Sequence, residues 1–404
     1  MQHHQILVVG GGAGGIAVAR SLMKRRSKLD VAIVEPSDTH YYQPGFTMVG
    51  GGIFHKEMTA RPEDSVFPAA ATRYRAAVSS FEPDKNQVTL KNGDRLSYDW
   101  LIAAPGLKLD WDAVPGLSDA LGKGGVTSNY RYDLAPYTWE LVQGLKGGNA
   151  IFTQPPMPIK CAGAPQKAMY LSCSEWEKQG VLGSIDVTFA NAGPVLFGVE
   201  AYAKALMPYV ERYGAKLAFG HNLKSIDGAA KRATFATAEG DVVMDYDMLH
   251  VTPPQCSLDF VRNSPLANDA GWIDVDQTTL QHNKYANVFS LGDAMSAPNA
   301  KTAAAARKQA PIVAENLLSV MGGGQPTHGY DGYGSCPLTV ENGKVVLAEF
   351  GYGGKLLPSF PWDSTVPRKA AWFLKARFLP WLYWNGMLKG REWLAGPKRI
   401  AAKG

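Results

Sequence analysis

Apolar residues along the chain fall into short unbroken runs separated by amphipathic stretches. Ile6-Leu7-Val8-Val9 and Val31-Ala32-Ile33-Val34 are each four residues long, the signature of strands buried on both faces, and residues 16–23 between them have helical character. The same alternation returns further on. Residues 149–153 read as a strand, 164–179 as a helix, 185–190 as a strand, 199–213 as a helix and 216–219 as a strand, which is the βαβ order of a second parallel-sheet domain. A last strand over 287–290 runs into Leu291-Gly292-Asp293-Ala294, then Lys301 and an alanine-rich helix from 302 to about 320.

Between the first strand and its helix the chain reads Gly10-Gly11-Gly12-Ala13-Gly14-Gly15. Gly10, Gly12 and Gly15 have G-x-G-x-x-G spacing: a tight turn, a backbone bare enough for a pyrophosphate, and close helix–strand packing, with the phosphates at the helix N-terminus. Glu35 ends the second strand, twenty residues past Gly15, where a carboxylate can bond a ribose hydroxyl and repel an extra phosphate. These features predict a Rossmann-like dinucleotide site. At the equivalent turn of the second domain stands Asn191-Ala192-Gly193-Pro194-Val195-Leu196-Phe197-Gly198. It lacks paired glycines and carries proline and bulky residues, so no nicotinamide nucleotide is expected there and electrons must enter from another donor.

Length and composition suit a multidomain enzyme of 404 residues with 46% hydrophobic content. Met1 lies so close to the first strand that no signal or transit peptide is expected. Four cysteines without close spacing argue against a disulfide framework and against a metal site. No uncharged apolar run approaches the ~18 residues of a membrane span. The net charge of +5 is unevenly spread: from Pro367 onward nine Lys or Arg face one acid, Glu392, leaving −3 on the first 366 residues. That tail also holds Trp372, Phe373, Phe378, Trp381, Tyr383, Trp384 and Trp393. Aromatics interleaved with cations suit a helix lying in the headgroup layer, with Phe378, Trp381 and Trp384 as membrane contacts. A helix pair docked on the protein's own core, bent at Pro380, and a homodimer interface are the competing readings. Nothing in the charge pattern points to a nucleic acid.

Taken with Leu101-Ile102-Ala103-Ala104-Pro105-Gly106, the Gly-Asp turn resembles the closing motifs of two-dinucleotide-domain flavoproteins. More specifically, residues 159–167 (Ile-Lys-Cys-Ala-Gly-Ala-Pro-Gln-Lys), Ser335-Cys336-Pro337, His40-Tyr41-Tyr42-Gln43-Pro44 and Phe360-Pro361-Trp362 resemble the sulfide:quinone oxidoreductase family, in the branch with the mitochondrial enzyme. The resemblance covers nearly the whole chain. It implies a glutathione-reductase-like flavoprotein with an FAD domain over residues 1–115 and 272–330, a second Rossmann-like domain over 116–271, and a C-terminal redox, quinone and membrane-attachment region over 331–404. FAD contacts are implied at Gly10, Gly12, Ala13, Gly14, Gly15, Glu35, Gln43, Val78, Gly292, Asp293 and Lys301, and a redox-active disulfide at Cys161 and Cys336. Ala104-Pro105-Gly106 departs from the Thr-Gly common in relatives, and Cys173 and Cys256 match no third redox cysteine, so apolar packing is expected of both.

The chemistry follows from the residues themselves. Hydrosulfide attacking one sulfur of a disulfide leaves a persulfide there and releases the other cysteine as a thiolate that can reduce a flavin. Cys161 stands just before a predicted helix beside Lys160 and Lys167, which favours its thiolate; it is therefore assigned the flavin-facing role and Cys336 the persulfide, with the reverse assignment left open. Membrane quinone (ubiquinone or menaquinone) would reoxidise the flavin in a passage lined by Phe360, Pro361, Trp362 and Tyr383, with Lys301 or Lys355 steadying negative charge. A further acceptor takes the sulfane sulfur. This implies a protein held peripherally on the cell inner membrane. Three flavoenzyme rivals fit less well. A type II NADH dehydrogenase needs glycines near Asn191, a glutathione-type reductase needs a cysteine pair soon after Glu35, and a cytochrome-coupled sulfide dehydrogenase has no use for a lipid-seeking tail. A non-catalytic flavin scaffold would bind FAD without turnover.

Overall fold

The computed structural model describes residues 1–298 and 300–400. Strand β1 (Gln2–Val9) lies between and parallel to β2 (Val31–Val34) and the longer Arg95–Ala103 strand. Flanked on both sides, its last four residues are buried, which is why the run is continuously apolar. Beyond β2 the edge is β3 (Thr72–Tyr74). A hairpin of β4 (Val78–Glu82) and β5 (Gln87–Leu90) pairs antiparallel with the first half of Arg95–Ala103, here β6. The second sheet is parallel throughout, in the order β7 (Val126–Thr127), β11 (Met248–His250), β8 (Gly148–Gln154), β9 (Ile185–Asn191), β10 (Lys216–Phe219). From far along the chain β12 (Val288–Ser290) returns to the first sheet beside β6. The expected mixed α/β architecture with parallel sheets is what the chain adopts.

Helix α1 (Ala13–Arg25) begins at the glycine turn. Gly10 has φ of +99°, and a Cβ there would sit 2.3 Å from the Ala104 carbonyl oxygen; at Gly15 it would be 1.8 Å from that of Gly10. Both glycines are therefore required for packing. Ile16, Val18 and Leu22 of α1 share the first core with Ala310, Val313 and Leu317 of a long later helix. Val78, expected at the cofactor, instead lies buried in that core and does not line the cavity described below.

Helix α2 (Ala164–Gln179) carries one buried face, Met169, Cys173 and Trp176, into the second core. The later helix, α3 (Ala303–Met321), is capped by Thr302, whose hydroxyl accepts the Ala305 N–H. Next comes a hairpin of β13 (Gly334–Glu341) and β14 (Lys344–Phe350), in which Ser335 faces Glu349, Cys336 faces Ala348 and Pro337 faces Leu347. Alternation splits it into two faces. Cys336, Leu338, Val346 and Ala348 join the core built on α2, whereas Ser335, Pro337, Leu347 and Glu349 line a cavity.

The aromatic tail forms α4 (Lys369–Phe373), a π-helical turn over Leu374–Phe378 and α5 (Leu379–Asn385), with Pro380 in the first turn of α5. It too has two faces. Ala371 packs on Val345 and Leu347, and Tyr383, Trp384, Met387 and Leu388 enter the first core. Phe373, Trp381, Trp393 and Leu394 stay exposed, with Trp381 and Trp393 stacked at 5.8 Å. Trp384 is therefore not a lipid contact: it is 3% exposed, held under the Arg61 guanidinium at 4.3 Å. Among the described residues no helix is long and apolar enough to cross a membrane.

Candidate active site

A cavity of about 470 Å³ runs from the glycine turn to the hairpin and the tail. At one end lie Gly10, Gly11, Gly12, Ala13, Gly14 and Glu35. The Glu35 carboxylate accepts the N–H groups of Gly11 and Ser37, each at 2.7 Å, while burial raises its pKa. A Cβ on Gly12 would meet nothing within 4 Å, so this glycine opens onto free space in the manner of a phosphate cradle. Gly15 lies beneath the turn and does not line the cavity. Midway stand Gly292 and Asp293, and Lys301 donates to the carbonyls of Asp293 (2.7 Å) and Met295 (3.2 Å) above the Trp272 ring at 4.1 Å. Burial brings its pKa down to about 8. Length, bare backbone and polar lining together fit a flavin dinucleotide.

Cys161 borders the cavity beside Gln43 and Lys160, which bond each other at 2.8 Å. Its backbone is left-handed, with φ of +51°, unusual for a non-glycine residue. The turn is held because the Cys161 N–H donates to Lys301 O at 2.9 Å, and Tyr130 Oη donates to Lys160 O at 3.0 Å. The Cys336 sulfur, 175 residues away in sequence, is 3.0 Å from that of Cys161. Gly163 permits the approach, since a Cβ there would be 2.3 Å from Leu338 and 3.0 Å from the Cys336 sulfur. One turn into α2, Lys167 is 2% exposed and places Nζ 3.0 Å from the Cys161 sulfur.

These neighbours separate the two thiols. Cys161 is held well below the usual thiol range by the S–H donated from Cys336, then by the charge and hydrogen bond of Lys167 and the charge of Lys375, against the opposing effect of burial. Cys336 is correspondingly pushed up. The arrangement therefore favours negative charge on Cys161 over Cys336. Lys375, from the π-helical turn of the tail, is 4% exposed and lines the cavity. Burial, with the charge of Lys167 adding, lowers its pKa to about 7. In sequence it is one more tail cation.

Residues 4–142 match the family model described as pyridine nucleotide-disulphide oxidoreductase. Over 96% of the chain the sequence is 45% identical to the mitochondrial sulfide:quinone oxidoreductase of Dictyostelium discoideum, covering 86% of that protein, and 41% identical to that of Mus musculus, covering 87%. The chain belongs to the sulfide:quinone oxidoreductase family. Its fold is also that of the sulfide:quinone oxidoreductase from the hyperthermophilic bacterium Aquifex aeolicus, with a TM-score of 0.82 over 97% of this chain and 92% of that one at 20% identity.

Within this family member the remaining expected residues divide. Gln43, Phe360, Phe378 and Tyr383 line the cavity with the two cysteine-facing lysines, whereas Pro361, Trp362 and Lys355 do not. Trp362 stacks behind Phe360 at 4.4 Å and 7°, so it supports the wall without forming it. Lys355 is exposed. Cys173 is fully buried in the second core as expected, but Cys256 is half-buried and lies 3.9 Å from Asp110, a polar setting. His40, fully enclosed, bonds Glu63 at 3.0 Å and Tyr383 Oη at 2.7 Å, tying the tail to the cavity wall. At the second-domain turn, Asn191 accepts the Gly193 N–H and donates to Val195 O, both at 2.8 Å, and Leu196 and Phe197 are buried.

Proposed function

We propose that the protein oxidises sulfide at Cys161 and Cys336 and passes the electron pair through FAD to a membrane quinone. The observation that carries this reading is the contact of the two sulfurs, one of them on the wall of a dinucleotide-sized cavity, beside two buried lysines. With the pair oxidised, hydrosulfide attacks Cys336, the Cys161–Cys336 bond breaks, and Cys161 leaves as the thiolate that Lys167 stabilises; the better-stabilised thiolate is the faster leaving group. Cys336 then carries the persulfide. Transfer of its outer sulfur to an acceptor returns a thiol, and renewed bonding of the two cysteines releases two electrons and one proton. Bound FAD supplies the two-electron relay between this chemistry and the quinone. Gly10 to Gly14 would hold its pyrophosphate, Glu35 its ribose, and Gly292, Asp293, Lys301 and Gln43 its flavin end.

The tail supports a peripheral membrane position. Its exposed Phe373, Trp381, Trp393 and Leu394 are interleaved with exposed Arg377, Lys389 and Arg391, a surface suited to the interface of an anionic bilayer, while Phe378 continues inward to the cavity. An anaerobic titration tests the whole reading. Sulfide should bleach the flavin spectrum, NADH should not, and a short-chain quinone should restore it. Bleaching by NADH alone would sink the proposal.

A further inference from the structure

The cavity face of the β13–β14 hairpin, opposite Cys336, holds a buried acid that the sulfur chemistry does not use. Glu349 is 3% exposed, and among the described residues no lysine, arginine or histidine forms an ion pair with it. It is held instead by hydroxyls: Tyr333 Oη and Ser359 Oγ each donate to Oε1 at 2.6 Å, and the Ser359 N–H donates to Oε2 at 2.9 Å. Its backbone is fixed by Tyr202, whose Oη lies 2.9 Å from the Glu349 nitrogen. Three hydrogen bonds offset much of the cost of burying this carboxylate without a cationic partner, an arrangement that clusters at functional sites. Ser359 is exposed, Tyr333 is buried, and all three side chains line the cavity. Next to them, on α3, the Arg307 guanidinium has Nε and Nη2 buried without a hydrogen-bond partner, and Lys308 stands over the Tyr333 ring at 5.2 Å.

We propose that Ser359, Glu349 and Tyr333 form the proton path to the reduced quinone, with Arg307 facing the negative charge that develops on it. The assignment rests on the quinone-reducing reading above. Reduction of a quinone to a quinol takes up two electrons and two protons. Both electrons and one proton come from the reduced flavin, leaving one proton to be supplied. Glu349 first takes a proton from solvent by way of Ser359; Tyr333 then gives its phenolic proton to the quinone oxygen and recovers the proton held on Glu349, which returns to the carboxylate. The hairpin then separates two chemistries, sulfur transfer on the Cys336 face and proton delivery on the Glu349 face.

The test uses the flavin-loaded full chain reduced with dithionite, so that the quinone half-reaction is read whatever the natural donor is. Wild type, Glu349→Gln and Tyr333→Phe are mixed with a short-chain quinone, and binding of a non-reducible quinone analogue is measured separately by tryptophan fluorescence. We expect reoxidation to slow about a hundredfold in both variants, the size of a lost general acid. A small weak acid in solution should restore much of the rate in Glu349→Gln, and analogue affinity should stay within about threefold of wild type. Unchanged reoxidation, or slowing matched by lost affinity without rescue by acid, would overturn the assignment. Wild type that quinone cannot reoxidise would overturn the quinone reading together with it. If quinone succeeds where sulfide fails as donor, only the sulfide reading falls.

Discussion

Replacing Lys167 with methionine removes one charge from beside Cys161 and leaves the packing nearly filled. A unit charge 3.0 Å from the thiolate sulfur is worth about 5 kcal/mol gross at an effective dielectric of 20. Two effects reduce the net value. The lysine's own burial cost disappears with it, and Lys375, whose charged form Lys167 disfavours, regains charge and compensates in part. A lost charge-assisted hydrogen bond of about 1.5–3 kcal/mol is the better guide, and at 1.36 kcal/mol per unit it raises the Cys161 pKa by about one to two units. The sign is upward because Lys167 lowers that pKa. The assay is an anaerobic pH titration of the long-wavelength thiolate-to-flavin band in Cys336→Ser, with and without Lys167→Met. Midpoints that agree within about 0.3 unit would refute the reasoning, since the lysine would then contribute under half a kcal/mol. The band itself should vanish in Cys161→Ser, and its persistence there would reverse the roles given to the two cysteines.

Three further outcomes follow from other parts of the molecule. Lys375, with its folded pKa lowered to about 7 from an ordinary 10.5, is neutral between those values while the unfolded chain remains protonated; stability should therefore rise with pH across that window. In Lys375→Met, denaturant midpoints measured from pH 7 to 10 should lose this rise, and an unchanged slope would contradict the burial argument. Gly12→Val should fold normally yet purify without flavin, because its side chain enters open space in the cavity, whereas Gly15→Ala should lower the melting temperature because its Cβ would be 1.8 Å from Gly10 O; the paired readout is flavin absorbance against thermal unfolding. Trp381→Ser with Trp393→Ser should weaken sedimentation with anionic vesicles at least about tenfold, as expected from removing two large apolar groups from the interface, and undiminished binding would remove the tail from the membrane reading.

Much of this was legible in the sequence wherever local chemistry dictates local structure. The apolar runs at residues 6–9 and 31–34, the glycine spacing and Glu35 describe a turn whose requirements are contained in a few dozen consecutive residues. What could not be read comes from distant segments meeting. Lys375 looks like any cation in a basic tail, and only the π-helical turn carries it inward to the cysteines. Trp384 looks like its neighbour Trp381, yet one helical turn decides which is buried under Arg61 and which is exposed. Val78 was assigned by likeness to relatives, but its side chain belongs to the core while the cavity is reached by Gln43 and Asp293. Arg307 reads in the sequence only as a basic residue within an alanine-rich helix, and its unpartnered nitrogens become visible once α3 lies along the cavity.

The hairpin shows how a two-residue period can organise the whole site. Cys336 and Glu349 differ by one position in the cross-strand register, since Ser335 is the partner of Glu349 and Cys336 that of Ala348. A slip of one residue would exchange the faces, sending the cysteine to the cavity wall and the acid into the apolar core against α2. Leu338, Val346 and Ala348, all fully buried on the Cys336 side, favour that register through hydrophobic packing, alongside the Tyr202 contact to the Glu349 backbone. The same residues that stabilise the second core therefore hold Cys336, the proposed persulfide position, away from the face proposed to deliver protons. Substitutions at Val346 or Leu338 should accordingly disturb both half-reactions together, whereas changes at Glu349 or Cys336 separate them.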